Sequence, residues 1–146
     1  MEIGRLWLES GNKELAEKYL LHAVNKNPKN LKNKLMLADL LQEAEKYDQA
    51  ITLLQPMLVE EPLNPDLLFK IATNYFKSGE FSKAAKFLER LRLVNQDDTR
   101  SLNLLAEAHM QLGNAEKAKE IWRLSLEKDP EQEEIKQKLG TIEDPH

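Results

Sequence analysis

Apolar residues in this chain recur every three or four positions, the spacing of one face of an α-helix. The stretch 50–58 shows the pattern, with Ala50, Ile51, Leu53, Leu54, Met57 and Leu58 on a common face. Leu, Ala, Glu, Lys and Gln dominate, only five glycines occur, and strand-like runs of Val, Ile and Thr are absent. The pattern predicts an all-α chain. Pro56 stands in the middle of that face, where it lacks the N–H that would bond the Thr52 carbonyl and its ring crowds the preceding turn. Taken alone, the segment leaves open whether the helix stops at Gln55 or is forced through the proline.

The pattern itself repeats with a period of 34 residues. Ala16, Ala50, Ala84 and Ala118 are in step, and so are Gly4, Ala38, Ala72, Ala106 and Gly140. Gly11, Gly79 and Gly113 share a third column, broken only by Glu45, and Pro28, Pro62 and Pro130 a fourth, broken by Gln96. Large residues keep the same beat: Ile3, Leu37, Ile71, Leu105 and Leu139; Trp7, Leu41, Tyr75 and His109; Leu20, Leu54, Leu88 and Trp122. Each unit reads as helix, short turn, helix, then a proline-marked turn. In the third unit Asn64 is placed to cap a helix with Pro65 in its first turn. Gly79 in Ser78-Gly79-Glu80 is placed to close that helix, and Ser82 to cap a second one running to about Val94. The small columns fall where the two helices of a unit would cross, and a lone pair cannot bury its apolar face, so each unit must stack on the next.

Four phased copies of small, Gly, Ala and Pro columns with large apolar residues between them resemble the tetratricopeptide repeat, over residues 1–130 and without an insertion. The resemblance implies an α-solenoid, a right-handed superhelix of antiparallel helix pairs forming one array over 1–146. Its repeats would be 1–30 (first helix clipped), 31–64, 65–98 and 99–132, followed by a capping helix and tail at 133–146. In the cap Leu139 and Gly140 keep their columns, and Ile135 and Ile142 share their face. The register also bears on Pro56, whose counterparts are His22, Arg90 and Leu124. Ala50, Leu54, Met57 and Pro62 stay in column around it, so the helix is expected to run on, kinked, to about Glu60 and to set the angle between the second and third repeats.

Composition narrows the function. A formal net charge of −4, spread along the chain without a basic stripe, argues against a nucleic-acid partner. No cysteine occurs, which removes disulfides and thiolate chemistry. No apolar run approaches the roughly 18 residues of a membrane span, and the acidic first segment does not read as a secretory leader, so membrane insertion is not expected. The expected location is the cytoplasm, with a soluble domain of a larger or exported protein as the alternative. His22, His109 and His146 belong to no metal-ligand or catalytic spacing, and no glycine loop is free to cradle a phosphate. No enzyme activity, cofactor or metal is expected. His109, Trp7 and Trp122 read as core residues by their columns, and Asn74 as a buried amide with structural partners.

The resemblance places binding on the first helix of every repeat, which would line a concave groove. The positions turned there are Arg5 and Leu8; Lys32, Leu35, Met36, Asp39 and Gln42; Asp66, Phe69, Lys70, Thr73, Phe76 and Lys77; Arg100, Asn103, Leu104, Glu107, Met110 and Gln111. Leu8, Leu35, Met36, Phe69, Phe76, Leu104 and Met110 would make an apolar floor flanked by charges of both signs, suited to a peptide or amphipathic helix of another protein. The competing reading is that Leu35, Phe69 and Phe76 merely cement adjacent first helices. The carboxylate-binding clamp of co-chaperone members does not transfer. On the last three repeats it would fall on Leu35, Asp39, Lys70, Arg100 and Leu104, of which only Arg100 suits. The expected function is therefore a non-catalytic protein-binding scaffold; the alternative is a structural module that self-associates weakly by stacking through its terminal repeats.

Overall fold

The computed structural model describes residues 11–143, and among them every regular element is an α-helix. In chain order these are α1 (Lys13–Lys26), α2 (Leu31–Glu43), α3 (Tyr47–Glu60), α4 (Pro65–Lys77), α5 (Phe81–Val94), α6 (Thr99–Gln111), α7 (Ala115–Lys128) and α8 (Glu133–Glu143). The chain divides into two compact units, Met1–Glu60 and Glu61–His146. In the first, α2 packs on both α1 and α3. In the second, each helix from α4 to α8 packs on the next, and α4 also touches α6.

The small columns do what their spacing predicts. Ala38, Ala72 and Ala106 in the first helices, and Ala16, Ala50, Ala84 and Ala118 in the second, are all at most 1% exposed. A side chain no larger than a methyl lets two helix backbones approach closely, and Leu20, Leu54, Leu88, Leu105 and Ile71, all buried, fill the space around the crossings. Gly140 departs from its column: it is exposed, and a Cβ built there would meet no described atom within 4 Å. The reason is positional. No second helix follows α8 among the described residues, so nothing crosses it there.

Helix starts also follow the period, more widely than Asn64 alone suggests. Asn30 Oδ1 accepts from the Asn33 N–H (3.1 Å), Asn64 Oδ1 from Asp66 (3.0 Å) and Leu67 (3.2 Å), and Asp98 Oδ1 from Arg100 (3.1 Å) and Ser101 (3.4 Å). Pro65 occupies the first turn of α4 as expected. Ser82 is not a cap. Helix α5 begins at Phe81 behind Glu80, whose N–H donates to the Tyr75 carbonyl (2.9 Å), while the Phe81 ring meets Phe76 edge-on at 5.1 Å. Those two contacts start the helix two residues earlier than a Ser82 cap would and put Ser82 inside its first turn.

Pro56 lies inside α3, which is one helix to Glu60, with Met57 and Leu58 each only 6% exposed beyond it. Burying these two side chains contributes roughly 3–6 kcal/mol, enough to outweigh the roughly 3 kcal/mol of an interior proline. The cost is also softened by placement. Pro56 and Thr52 are both exposed, so water can reach the carbonyl the proline leaves unbonded.

The turns inside the helix pairs share one geometry. Gly11, Gly79 and Gly113 have φ of 79°, 86° and 80°, and Glu45 adopts φ 60° in the same column. Around three of these turns the same two bonds recur, as in Gly79 N–H to Phe76 O (3.0 Å) with Glu80 N–H to Tyr75 O (2.9 Å), and Glu45 N–H to Gln42 O (3.0 Å) with Lys46 N–H to Leu41 O (2.8 Å). A left-handed residue with a Cβ costs about 1–2 kcal/mol, part of which glycine gives back through its more flexible unfolded chain. Glu45→Gly is therefore expected to raise stability by about 1 kcal/mol in urea unfolding. A loss of stability would show that the Glu45 side chain contributes more than its backbone strain costs.

Candidate functional site

Arg5 and Leu8 lie outside the described residues. In the first unit, α2 carries Lys32 and Asp39 exposed and Leu35, Met36 and Gln42 half-buried, with Met36 packed against the core built on Leu20, Leu37 and Leu40. In the second unit, Phe69, Lys70, Thr73 and Phe76 of α4 are half-buried, and Asp66 and Lys77 exposed. On α6, Asn103, Leu104, Glu107 and Met110 are half-buried, and Arg100 and Gln111 exposed. Every described apolar residue of the expected floor is thus seated against its helix neighbours and still reachable from solvent.

Several of these side chains already have work inside the fold. The Arg100 guanidinium lies over the Phe69 ring, 4.6 Å from its centroid, and ties α6 to α4. It also reaches the Asp98 carboxylate at 3.5 Å. Partial burial pushes the Asp98 carboxyl up, but hydrogen bonds from Ser101 and Arg100 outweigh it and hold the group below the usual carboxylate range. The Thr73 hydroxyl donates to the Phe69 carbonyl at 2.8 Å, and Phe76 is held against Phe81. Asn103 donates to Gln132 Oε1 at 2.7 Å. Lys138 of α8 bridges Glu107 and Glu134. Its ammonium is held above the ordinary lysine range, first by the hydrogen bond with Glu107 and, against the opposing effect of burial, also by Glu134.

Gln132 is a residue that sequence reasoning missed. It stands one period after Asn30, Asn64 and Asp98, and its longer side chain turns back instead of capping forward. Its amide donates to the Ser125 carbonyl (3.1 Å), the Ser125 hydroxyl (3.0 Å) and the Asp129 carbonyl (3.0 Å), closing α7 against the start of α8. The period-34 column of capping residues was the signal that could have found it.

Asn74 is buried and its amide donates to the Lys70 carbonyl at 2.8 Å, in keeping with a structural role. Trp122 is in the core at 2% exposure. His109 is half-buried, with Nδ1 3.4 Å from the Asn114 amide nitrogen. Burial lowers its pKa below the ordinary 6.5 against the opposing charge of Glu89, and the charge of Lys117 adds a smaller lowering. Among the described residues no three His, Asp or Glu side chains are grouped to hold a metal ion, and no helix is long and apolar enough to cross a membrane.

Helix pairs built on alanine crossings, presenting half-buried apolar and charged side chains on their first helices, define a helical-repeat protein. Tetratricopeptide-repeat profiles match residues 41–106 and 99–132, well over half the chain, and the chain belongs to the tetratricopeptide repeat family. It is 30% identical to the beta-barrel assembly-enhancing proteases of Escherichia coli K12 and Shigella flexneri over 49% of its length, and it spans only 22% of those relatives. A crystal structure of MamA superposes with a TM-score of 0.89 at 19% identity, covering 99% of this chain and 85% of that one. A MamA fragment from Desulfovibrio magneticus RS-1 gives 0.87 at 22% identity, covering 97% and 80%. These likenesses show a common fold.

The lowered His109 pKa sets a pH dependence. The folded protein prefers the neutral ring, so its contribution to stability is present above pH 6.5 and lost as pH falls through the folded pKa. His109→Tyr, which installs the residue of its counterpart Tyr75, is expected to flatten the loss of stability between about pH 7 and pH 5 in urea unfolding. An unchanged slope would place the proton uptake elsewhere.

Proposed function

We propose that the chain is a non-catalytic protein-interaction scaffold that binds a peptide or helical segment of a partner protein on the faces of its first helices. Family membership supports a general role in protein binding. The observation that carries the finer reading is the half-burial of Leu35, Met36, Phe69, Leu104 and Met110 beside the charged Lys32, Lys77 and Arg100. Side chains fixed by their own helices but still reachable lose little freedom on binding, which favours affinity. Apolar anchors flanked by charge match an amphipathic segment. The contacts of Arg100, Asn103 and Glu107 hold α4, α6 and α8 in register and keep the surface rigid before a partner arrives. The proteolytic activity in the relatives' names belongs to proteins of which this chain spans about a fifth, and it is not carried over.

The test is capture of partners by the whole chain, followed by substitution. Phe69→Ser with Leu104→Ser is expected to leave the far-ultraviolet circular dichroism of the helices unchanged and to weaken the captured partner's binding by about tenfold or more. Undiminished binding would contradict the reading. Lost helicity would return both residues to a purely structural role.

A further inference from the structure

The first unit contains an open cleft of about 380 Å3 away from the positions just described. Its apolar walls are Leu21 of α1, Leu37 and Leu41 of α2 and Leu53 of α3, and Leu21 is 49% exposed. Asp48, Gln49 and Thr52 of α3 form the polar part of the lining. Leu37 and Leu41 stand on one face of α2, while Leu35 and Asp39 stand roughly opposite at about 100° per residue, so the cleft and the first-helix face are separate surfaces.

The second unit shows what chemistry occupies the corresponding place. One period on, Leu41 becomes Tyr75, Leu53 becomes Phe87 and Gln49 becomes Lys83. Tyr75 and Phe87 stack with ring centroids 5.5 Å apart, and the Lys83 ammonium lies 5.4 Å from the Tyr75 centroid. In the first unit two leucines and a glutamine replace the ring pair and its cation, and an accessible cleft remains. Charge differs as well, and Thr52 stands where the second unit has Lys86. Asp48 stands where the second unit has Ser82, and it is the ionisable residue among those lining the cleft. The nearby Lys46 is held by Glu17 at 2.7 Å, so it does not neutralise Asp48 directly.

We propose that this cleft docks a protein segment carrying an aromatic side chain beside a lysine or arginine. The ring enters between the leucines, beside positions where the second unit carries the larger rings of Tyr75 and Phe87, and the cation meets the Asp48 carboxylate at the rim. The volume lies at the low end of the roughly 300–1,000 Å3 of ligand pockets, a size for one anchoring side chain and its neighbours. Positive charge is selected because a like charge would face Asp48 without compensation.

The test titrates the whole chain, labelled at leucine methyls, with acetyl-Ser-Phe-Lys-Ser-amide and acetyl-Ser-Phe-Glu-Ser-amide at millimolar concentration. The methyls of Leu21, Leu37, Leu41 and Leu53 are expected to shift by ring current, with the lysine peptide binding about threefold tighter, the scale of an exposed ion pair. Asp48→Ser should erase that preference. Leu53→Phe, which installs the counterpart of Phe87, should weaken both peptides about tenfold by filling the cleft from within. Asp48→Ser alters an exposed side chain and keeps the test decisive should Leu53→Phe disturb packing. Silent cleft methyls, shifts confined to Leu35 and Leu104, or equal binding of the two peptides would each overturn the proposal. Loss of the captured partner through Phe69→Ser with Leu104→Ser leaves it standing, because those residues belong to the other surface and the other unit, whereas loss of the two peptides through that pair would overturn it.

Discussion

Everything in this molecule depends on two helix backbones being able to touch. The alanines at 34-residue intervals in the first and second helices are buried almost completely, and in a close-packed interior a larger side chain there would have to displace its neighbours. Close approach lets the surrounding leucines and isoleucines interdigitate, and that packing supplies most of the apolar burial. The same geometry fixes which residues are left over. A first helix that uses one face for its crossing turns another outward, so the candidate binding residues follow from the packing.

The short turns turn that packing into a repeating unit. An Asn or Asp cap starts the first helix, and a left-handed residue with two recurring backbone bonds ends it. Where the chain departs from its own pattern, the departures have local causes. Glu45 tolerates a backbone conformation its neighbours leave to glycine. Pro56 survives inside α3 because the buried Met57 and Leu58 lie beyond it, and because it and Thr52 stand on the exposed side of the helix. Gln132 gives up forward capping to close α7 on α8.

Most of the fold was legible because a period is a collective signal. One alanine says little, but four in step identify a crossing, and helix boundaries, the small columns and the helix through Pro56 all followed from that. Gln132 was missed although its column pointed to it; the other misses turned on neighbours that no column encodes. Ser82 looks like a cap until Phe81 is seen against Phe76, and Gly140 looks like a crossing until no helix is found to cross it. The candidate site was legible as a set of positions and not as a set of partners. Nothing in the sequence says that Arg100 lies over Phe69, or that Asn103 and Glu107 reach toward Gln132 and Lys138, because those pairings depend on side-chain conformation. The cleft beside Leu53 was invisible for the same reason, since an unfilled volume appears only once neighbours are in place.

The central claim is that the period-34 column is imposed by helix crossing and only where a crossing exists. Two members of that column separate the cause from the pattern: Ala72 is fully buried, and Gly140 is exposed with open space around it. Urea unfolding of Ala72→Leu and Gly140→Leu tests this directly. The expected result is a loss of about 1–3 kcal/mol for Ala72→Leu, from overpacking, and no loss for Gly140→Leu. Equal effects at the two positions, or tolerance of leucine at Ala72, would contradict the account.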